Sequence, residues 1–326
     1  MEASIEMRRI GVVTAGGDAP GMNAAIRSIV RTAIFRGLEV LGIERGYAGL
    51  IEEQVRPLGP RSVSGIINLG GTVLKTVRCE EMKTSQGIQR ATNTLKAIGI
   101  DGLIVVGGDG SFRGASELHE ASGLPTVGVP ATIDNDVAGT DTTIGFDTAV
   151  NTALFAIDRI RDTATSLERV FVVEVMGRKR GFLALEVGFA EGAEFILIPE
   201  IEYNLQDICR KLKQGRSQGK TSEIIVMAEG AGNSATIVEQ IKSETGYDAR
   251  LTILGHMQRG GPPTARSRIL GNQFGAKAVE LLLEGAQKNM VGIQGGRIVS
   301  VDLDYAWKER KELDIGLYRL AEVLSL

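Results

Sequence analysis

Short apolar runs closed by glycine recur along this chain, separated by longer stretches in which apolar positions return every three or four residues. The first pattern predicts strands buried on both faces, and the second predicts amphipathic helices packed over them. Strands are expected at 9–14, 38–43, 103–106, 125–129, 169–175 and 224–228, and another leads from 252 into a basic, glycine-rich turn ending at 261. Helices are expected at 22–35, 87–98, 112–121 and 147–163, with a turn at 47–50 leading on to 62–68. The tail from 268 to 326 reads as mostly helical and offers no chemistry. Strands alternating with helices argue a mostly parallel sheet covered on both sides. The two halves echo each other in order of elements but keep no fixed period, which excludes a tandem array. The expected fold is therefore α/β, with two doubly wound, Rossmann-like, three-layer domains. One domain takes residues 1–145 completed by about 258–308, and the other takes 146–257 completed by about 309–326.

Length and composition agree with that division. At 326 residues the chain exceeds one ordinary core, and 42 glycines suit a protein with many tight strand-to-helix turns. A net charge of −3 offers no footprint for nucleic acid or an anionic membrane, although local basic clusters leave phosphorylated small molecules open. No apolar stretch reaches the roughly 18 residues of a membrane span, and residues 1–9 do not form a signal peptide. Cys79 and Cys209 are far apart and match no metal-ligand spacing. The expectation is a cytoplasmic protein with reduced thiols.

The chemistry concentrates beyond strand ends, where ligands bind in parallel α/β sheets. In 127–136, Val-Gly-Val-Pro-Ala-Thr-Ile-Asp-Asn-Asp, Pro130 lacks a ladder donor and is expected to end the strand. Asp134 and Asp136 then stand two apart, pointing the same way on an extended segment. Two like charges so close serve a cation, a proton to be moved, or plain solvent. What favours function is 103–111, Leu-Ile-Val-Val-Gly-Gly-Asp-Gly-Ser, where an apolar run enters a glycine turn bearing one acid and one hydroxyl. Such a turn brings backbone N–H groups to phosphate oxygens, and Asp109 could hold Mg²⁺. A carboxylate on the other loop could take a proton from a hydroxyl nucleophile. Residues 16–21 have P-loop glycine spacing, but Met22 and Asn23 stand where lysine and a hydroxyl belong, so only an anion-facing helix start survives there. Arg27 and Arg31 share one helix face, by default a solvated one. Arg78, Arg178 and Arg259 could neutralise a transferring group. The residues alone support phosphoryl transfer to an unspecified acceptor.

Gly-Gly-Asp-Ala-Pro-Gly-Met-Asn (16–23), Gly-Gly-Asp-Gly-Ser (107–111), Pro-Ala-Thr-Ile-Asp-Asn-Asp (130–136), Glu-Val-Met-Gly-Arg (174–178) and Leu-Gly-His-Met-Gln-Arg-Gly-Gly (254–261) together resemble the bacterial 6-phosphofructokinases, in that family's order over nearly the whole chain. The resemblance implies a glycolytic, Mg²⁺-requiring transfer from ATP to the 1-hydroxyl of fructose 6-phosphate. Asp134 would be the base, with Thr132, Arg178 and Arg78 around the transferring group. Asp109 and Asp136 would serve the metal. Gly17, Arg78, Cys79, Gly108, Asp109, Gly110 and Ser111 would line the ATP site in the first domain. Fructose 6-phosphate would meet Thr132, Ile133, Asp134, Met176, Gly177, Arg178, Glu229, His256, Met257, Gln258 and Arg259. Arg169 and Arg250 would reach it from a neighbouring subunit of a homotetramer with shared active sites.

Departures from the family pattern sharpen the expectation. Ala131 replaces the glycine usual in ATP-using members but is not the lysine of the pyrophosphate-using branch, and Gly110 stands where that branch has aspartate. Both should leave room for ATP. Arg27, Arg31, Arg161, Glu194 and Lys220 match the family's effector site, whereas Pro60, Gly65 and Gln218 do not and Arg61 falls one place late. A weakened or altered effector response is expected. The alternatives are a pyrophosphate-dependent enzyme and a non-catalytic nucleotide-sensing subunit; the latter would be expected to have lost Asp134 or Asp109, and both are present.

Overall fold

A computed structural model describes residues 7–325. The chain divides into two compact units, one through Thr132, Asp136–Asp147 and Arg259–Lys311, the other Ile133–Asn135, Thr148–Gln258 and Glu312 onward. In chain order, the first unit begins with β1 (Arg9–Thr14), α1 (Met22–Phe35), β2 (Glu39–Ile43), α2 (Gly46–Ile51) and β3 (Val55–Pro57). It continues with α3 (Ser85–Ile98), β4 (Gly102–Gly107), α4 (Asp109–Ser122), β5 (Thr126–Thr132) and β6 (Ile144–Gly145). Helix α5 (Phe146–Leu167) carries the chain into the second unit. That unit contains β7 (Val170–Val175), α6 (Phe182–Glu191), β8 (Phe195–Leu197), α7 (Leu205–Ser217), β9 (Glu223–Ala228), α8 (Ser234–Thr245) and β10 (Ala249–Ile253). The first unit then resumes with α9 (Ala265–Leu283), β11 (Lys288–Gln294), β12 (Arg297–Asp302) and α10 (Tyr305–Lys308), and α11 (Ile315–Leu324) belongs to the second.

The first unit's sheet runs β12-β11-β5-β4-β1-β2-β3, with β6 beside the end of β5. It is parallel except at its edges, where β2–β3 and β11–β12 are antiparallel. The second unit's sheet, β10-β7-β9-β8, is parallel throughout. The α/β expectation of mostly parallel sheets flanked by helices holds. Its cause is visible in burial: every residue of β4 and of β9 is buried, because a central parallel strand has no solvent face. Val13, Leu103, Val105 and Phe112 share one core in the first unit, and Val172, Ile208, Leu212 and Ile225 share another in the second. No helix among the described residues is long and apolar enough to cross a membrane.

Several local expectations are corrected. Strand β5 runs past Pro130 to Thr132. The β11 ladder stops at Gly128 and the β4 ladder at Pro130, so the missing N–H falls where both end, and β6 takes over at Ala131 and Thr132. Helix α4 begins at Asp109, three residues before the expected start, so the acid and hydroxyl of the glycine turn lie in its first turn. Residues 47–50 belong to the short helix α2. About half of the tail is helical, but it also holds two strands: β11 and β12 form a hairpin across Gly295 and Gly296, both at positive φ (56° and 79°), as a two-residue turn between right-twisted strands requires. Arg250 lies within strand β10, which starts three residues before the expected strand.

Candidate functional site

In the first unit the loops after β1 and β4 meet backbone to backbone. A Cβ on Gly107 would lie 2.5 Å from the Ala15 carbonyl oxygen and 2.6 Å from Ser111 Oγ, so a side chain there would pry the loops apart. The buried Tyr47 hydroxyl donates to the Ser111 carbonyl (2.5 Å), and burial pushes its phenol far above the ordinary range. Gly108 stands at the N-terminus of α4, whose first-turn amides and dipole favour an anion. Gly110 is exposed, and a Cβ there would meet nothing within 4 Å. Asp109, Thr132 and Asp136 are half-buried, and Thr132 lies beside Gly108, 3.6 Å from where a Cβ would stand. The Thr143 hydroxyl ties the Thr132 carbonyl (2.6 Å).

The donor-rich loop ahead of Arg78 is pinned to this floor. Asn23, almost wholly buried, donates to the Leu69 and Gly70 carbonyls and accepts the Val73 N–H (2.8 Å). Thr14 donates to the Lys75 carbonyl (2.8 Å), and Thr76 donates to the Gly16 carbonyl (2.8 Å). Arg78 is exposed and Cys79 half-buried just beyond. Arg259 donates to the Asp18 carbonyl (3.2 Å), so close to Gly17 that a Cβ there would fall 2.2 Å from Nη1. Gly17, Gly108, Asp109 and Ser111 are thus carried on adjoining loops or a helix start.

In the second unit Ile133 and Asp134 are fully buried, and Asp134 Oδ2 lies 3.2 Å from Arg178 Nε. The Arg178 N–H donates to Glu229 Oε1 (2.7 Å), joining the loops after β7 and β9. Met176 and Gly177 are buried; Glu229, His256 and Met257 are exposed. Gln258 is fully buried and its amide donates to the Gly255 carbonyl (3.0 Å), closing the short turn that carries His256. The extended-segment expectation for Asp134 and Asp136 fails. Asn135 between them has φ 53°, which breaks the alternation, and the two acids fall in different units.

Arg169 and Arg250 share one carboxylate. Asp248 Oδ2 lies 2.5 Å from Arg169 Nε, and Oδ1 lies 2.8 Å from Arg250 Nε. The Arg250 hydrogen bond, with Arg169 adding to it against some burial, holds the Asp248 carboxyl below the usual range. Asp248 is not legible in the sequence, since a lone acid before a strand carries no periodic signal and only the β7–β10 register brings Arg169 beside it. Asn23 had a faint signal as a polar residue in the apolar first turn of α1.

The residues expected at an effector site fall on both units. Arg27, half-buried, and Arg31, exposed, lie on α1. Arg161 pairs with Glu191 (2.7 Å), Glu194 accepts the Ile224 N–H (2.7 Å), and Lys220 donates to the Ser325 carbonyl at the end of α11 (2.9 Å). Glu194 and Lys220 do line one cleft of about 740 Å³, together with the buried Glu223.

A family model described as phosphofructokinase matches residues 9–282. An ATP-dependent 6-phosphofructokinase of Halothermothrix orenii is 52% identical over 332 residues, covering 98% of this chain and all of that protein. One from Halalkalibacterium halodurans is 53% identical over 320 residues with the same coverage. Among solved structures, phosphofructokinase from Saccharomyces cerevisiae superposes with a TM-score of 0.86 at 37% identity, over 92% of this chain but 45% of that one. A pyrophosphate-dependent phosphofructokinase from Marinobacter aquaeolei gives 0.85 at 22% identity over 95% and 86%, a likeness of fold.

Proposed function

We propose that this chain, which belongs to the phosphofructokinase family, transfers the γ-phosphoryl group of ATP to the 1-hydroxyl of fructose 6-phosphate, giving fructose 1,6-bisphosphate and ADP. The observation that carries the reading is the fully buried Asp134 carboxylate beyond β5, held 3.2 Å from Arg178. A carboxylate shielded from water and beside a fixed cation can accept a hydroxyl proton while the guanidinium offsets charge on the transferring phosphoryl.

Each unit has its own task. In the first, the α4 N-terminus and the glycines of the β1 and β4 loops bind the nucleotide phosphates, with Ser111 and Thr132 at the edges and Arg78 and Cys79 on the pinned loop. In the second, Glu229, Met176 and Gly177 orient the sugar, Arg178 and Asp134 act at its 1-hydroxyl, and His256 donates to the sugar phosphate. Asp109 and Asp136 are oxygen donors of the kind a hard cation takes alongside phosphates and water; among the described residues no three His, Cys, Asp or Glu side chains gather into a metal cage of their own. Mg²⁺ held by them would offset charge on the β- and γ-phosphate oxygens. Arg169 and Arg250, pre-aligned by Asp248, serve the 6-phosphate of a neighbouring subunit in a homotetramer.

ATP is favoured over pyrophosphate because the relatives at 52–53% identity carry ATP in their names, whereas the pyrophosphate-dependent structure shares only 22%. Open space at Gly110 supports the same choice. Ala131 does not, since it is wholly buried in β5 and opens no room to solvent. A donor panel of ATP, GTP and pyrophosphate with fructose 6-phosphate tests the reading: Mg²⁺-dependent turnover fastest with ATP is expected, and faster turnover with pyrophosphate overturns it.

A further inference from the structure

The turn between β7 and α6 is braced by a carboxylate that the proposed mechanism does not use. Gly177 and Arg178 both lie at positive φ, 128° and 54°, and a residue with a Cβ holds that conformation only when its surroundings impose it. Two restraints lie on the substrate side, the Arg178 N–H on Glu229 and the Arg178 side chain against Asp134. The turn then closes through the Arg180 N–H on the Gly177 carbonyl (3.0 Å). Behind it stands Glu200, from the segment after β8. Glu200 Oε1 accepts the Gly181 N–H (3.1 Å) and lies 3.3 Å from Arg180 Nε.

This brace is dry and tight. The side chains of Arg180 and Glu200 are 13% and 10% exposed, and Glu200 Oε2 is buried without a hydrogen-bond partner. A Cβ on Gly181 would lie 2.5 Å from Ile198 Cβ and 2.7 Å from Glu200 Oε2, so glycine is what lets the carboxylate reach the backbone. Burying a half-satisfied carboxylate is unfavourable, and a buried ion pair is a poor source of stability compared with apolar packing. Its use here is geometric, because it fixes the far end of a turn whose near end must aim a guanidinium.

We infer that Glu200 is a positioning residue for phosphoryl transfer, acting through Gly181 and Arg180 to hold Arg178 on Asp134. The inference rests on the roles given above to Asp134 and Arg178. Glu200→Gln preserves shape and an acceptor oxygen but removes the charge. In the wild-type background it should lower kcat roughly 10-fold while changing KM for ATP less than about 2-fold, since a small misplacement of a catalytic group is costly. In an Arg178→Ala background it should lower kcat no further, because the group it aims is gone. An equal loss in both backgrounds, or no loss in the wild type, overturns the inference. If Arg178→Ala by itself leaves kcat intact, the role of Arg178 is wrong and the inference falls with it. Should Glu200→Gln not fold, as judged by circular dichroism, Glu200→Asp keeps the charge, withdraws the oxygen, and is compared in the same two backgrounds with the same outcomes.

Discussion

Replacing Asp134 with asparagine separates its chemical duty from its structural one. The side chain is fully buried, with Arg178 Nε at 3.2 Å, but the Arg178 side chain is 48% exposed. The substitution keeps the volume, so no cavity forms. An ion pair with a half-exposed arginine is screened and contributes at most about 1 kcal/mol. Removing a buried charge offsets part of even that. The net change in stability should stay within about 1 kcal/mol, or roughly 2–4 °C in Tm. Loss of a positioned base lowers kcat by about 10²–10⁴, which is about 2.7–5.4 kcal/mol of barrier. The catalytic effect therefore exceeds the structural one several-fold, and KM for fructose 6-phosphate should move much less than kcat. Initial rates coupled to consumption of fructose 1,6-bisphosphate, run beside thermal denaturation followed by circular dichroism, measure both. A variant with unchanged Tm and more than a tenth of wild-type kcat would remove Asp134 from the base role.

Gly110→Asp should fold normally, since a Cβ there meets nothing within 4 Å, yet lose ATP turnover through crowding and charge repulsion; full activity would show that no phosphate approaches this position. Arg250→Ala should weaken fructose 6-phosphate binding about 10–100-fold, the loss of a charge-assisted hydrogen bond, and spare ATP. At fructose 6-phosphate concentrations too low for Arg250→Ala to turn over, hybrids of Arg250→Ala and Asp134→Asn subunits should exceed the activity of either parent, and the shared site is wrong if well-mixed hybrids gain none and the protein sediments as an active monomer. Burial pushes the Glu223 carboxyl up, with Arg216 opposing, Glu194 reinforcing and Lys220 opposing. The folded state therefore holds a proton that the unfolded chain releases, and stability is lost as pH rises from the ordinary carboxylate range through the raised value. Glu223→Gln should be near neutral at acid pH and stabilising at pH 8, where the wild type must bury the charge; urea denaturation showing a less stable variant at pH 8 would contradict this.

Much of this molecule is legible in local pattern because parallel sheets impose it. Residues 103–106 and 224–228 are uninterrupted apolar runs since strands buried on both faces have no polar side. The glycines after them mark strand-to-helix turns for the same local reason, so the places of Asp109, Asp134 and Arg178 beyond strand ends are legible in the sequence. What local pattern could not decide depends on neighbours. Pro130 was expected to stop β5, but whether a missing N–H matters depends on where the adjoining ladders end. The left-handed turn at Asn135 separates two acids that simple alternation would have aligned. Strands β11 and β12 gain their identity only by extending an existing sheet beside β5. Asp248 becomes the partner of Arg169 and Arg250, and Glu200 the brace behind Arg178, because pairing register and loop packing bring together groups far apart in the chain. Periodicity records which way a residue faces, and only tertiary structure decides what it faces.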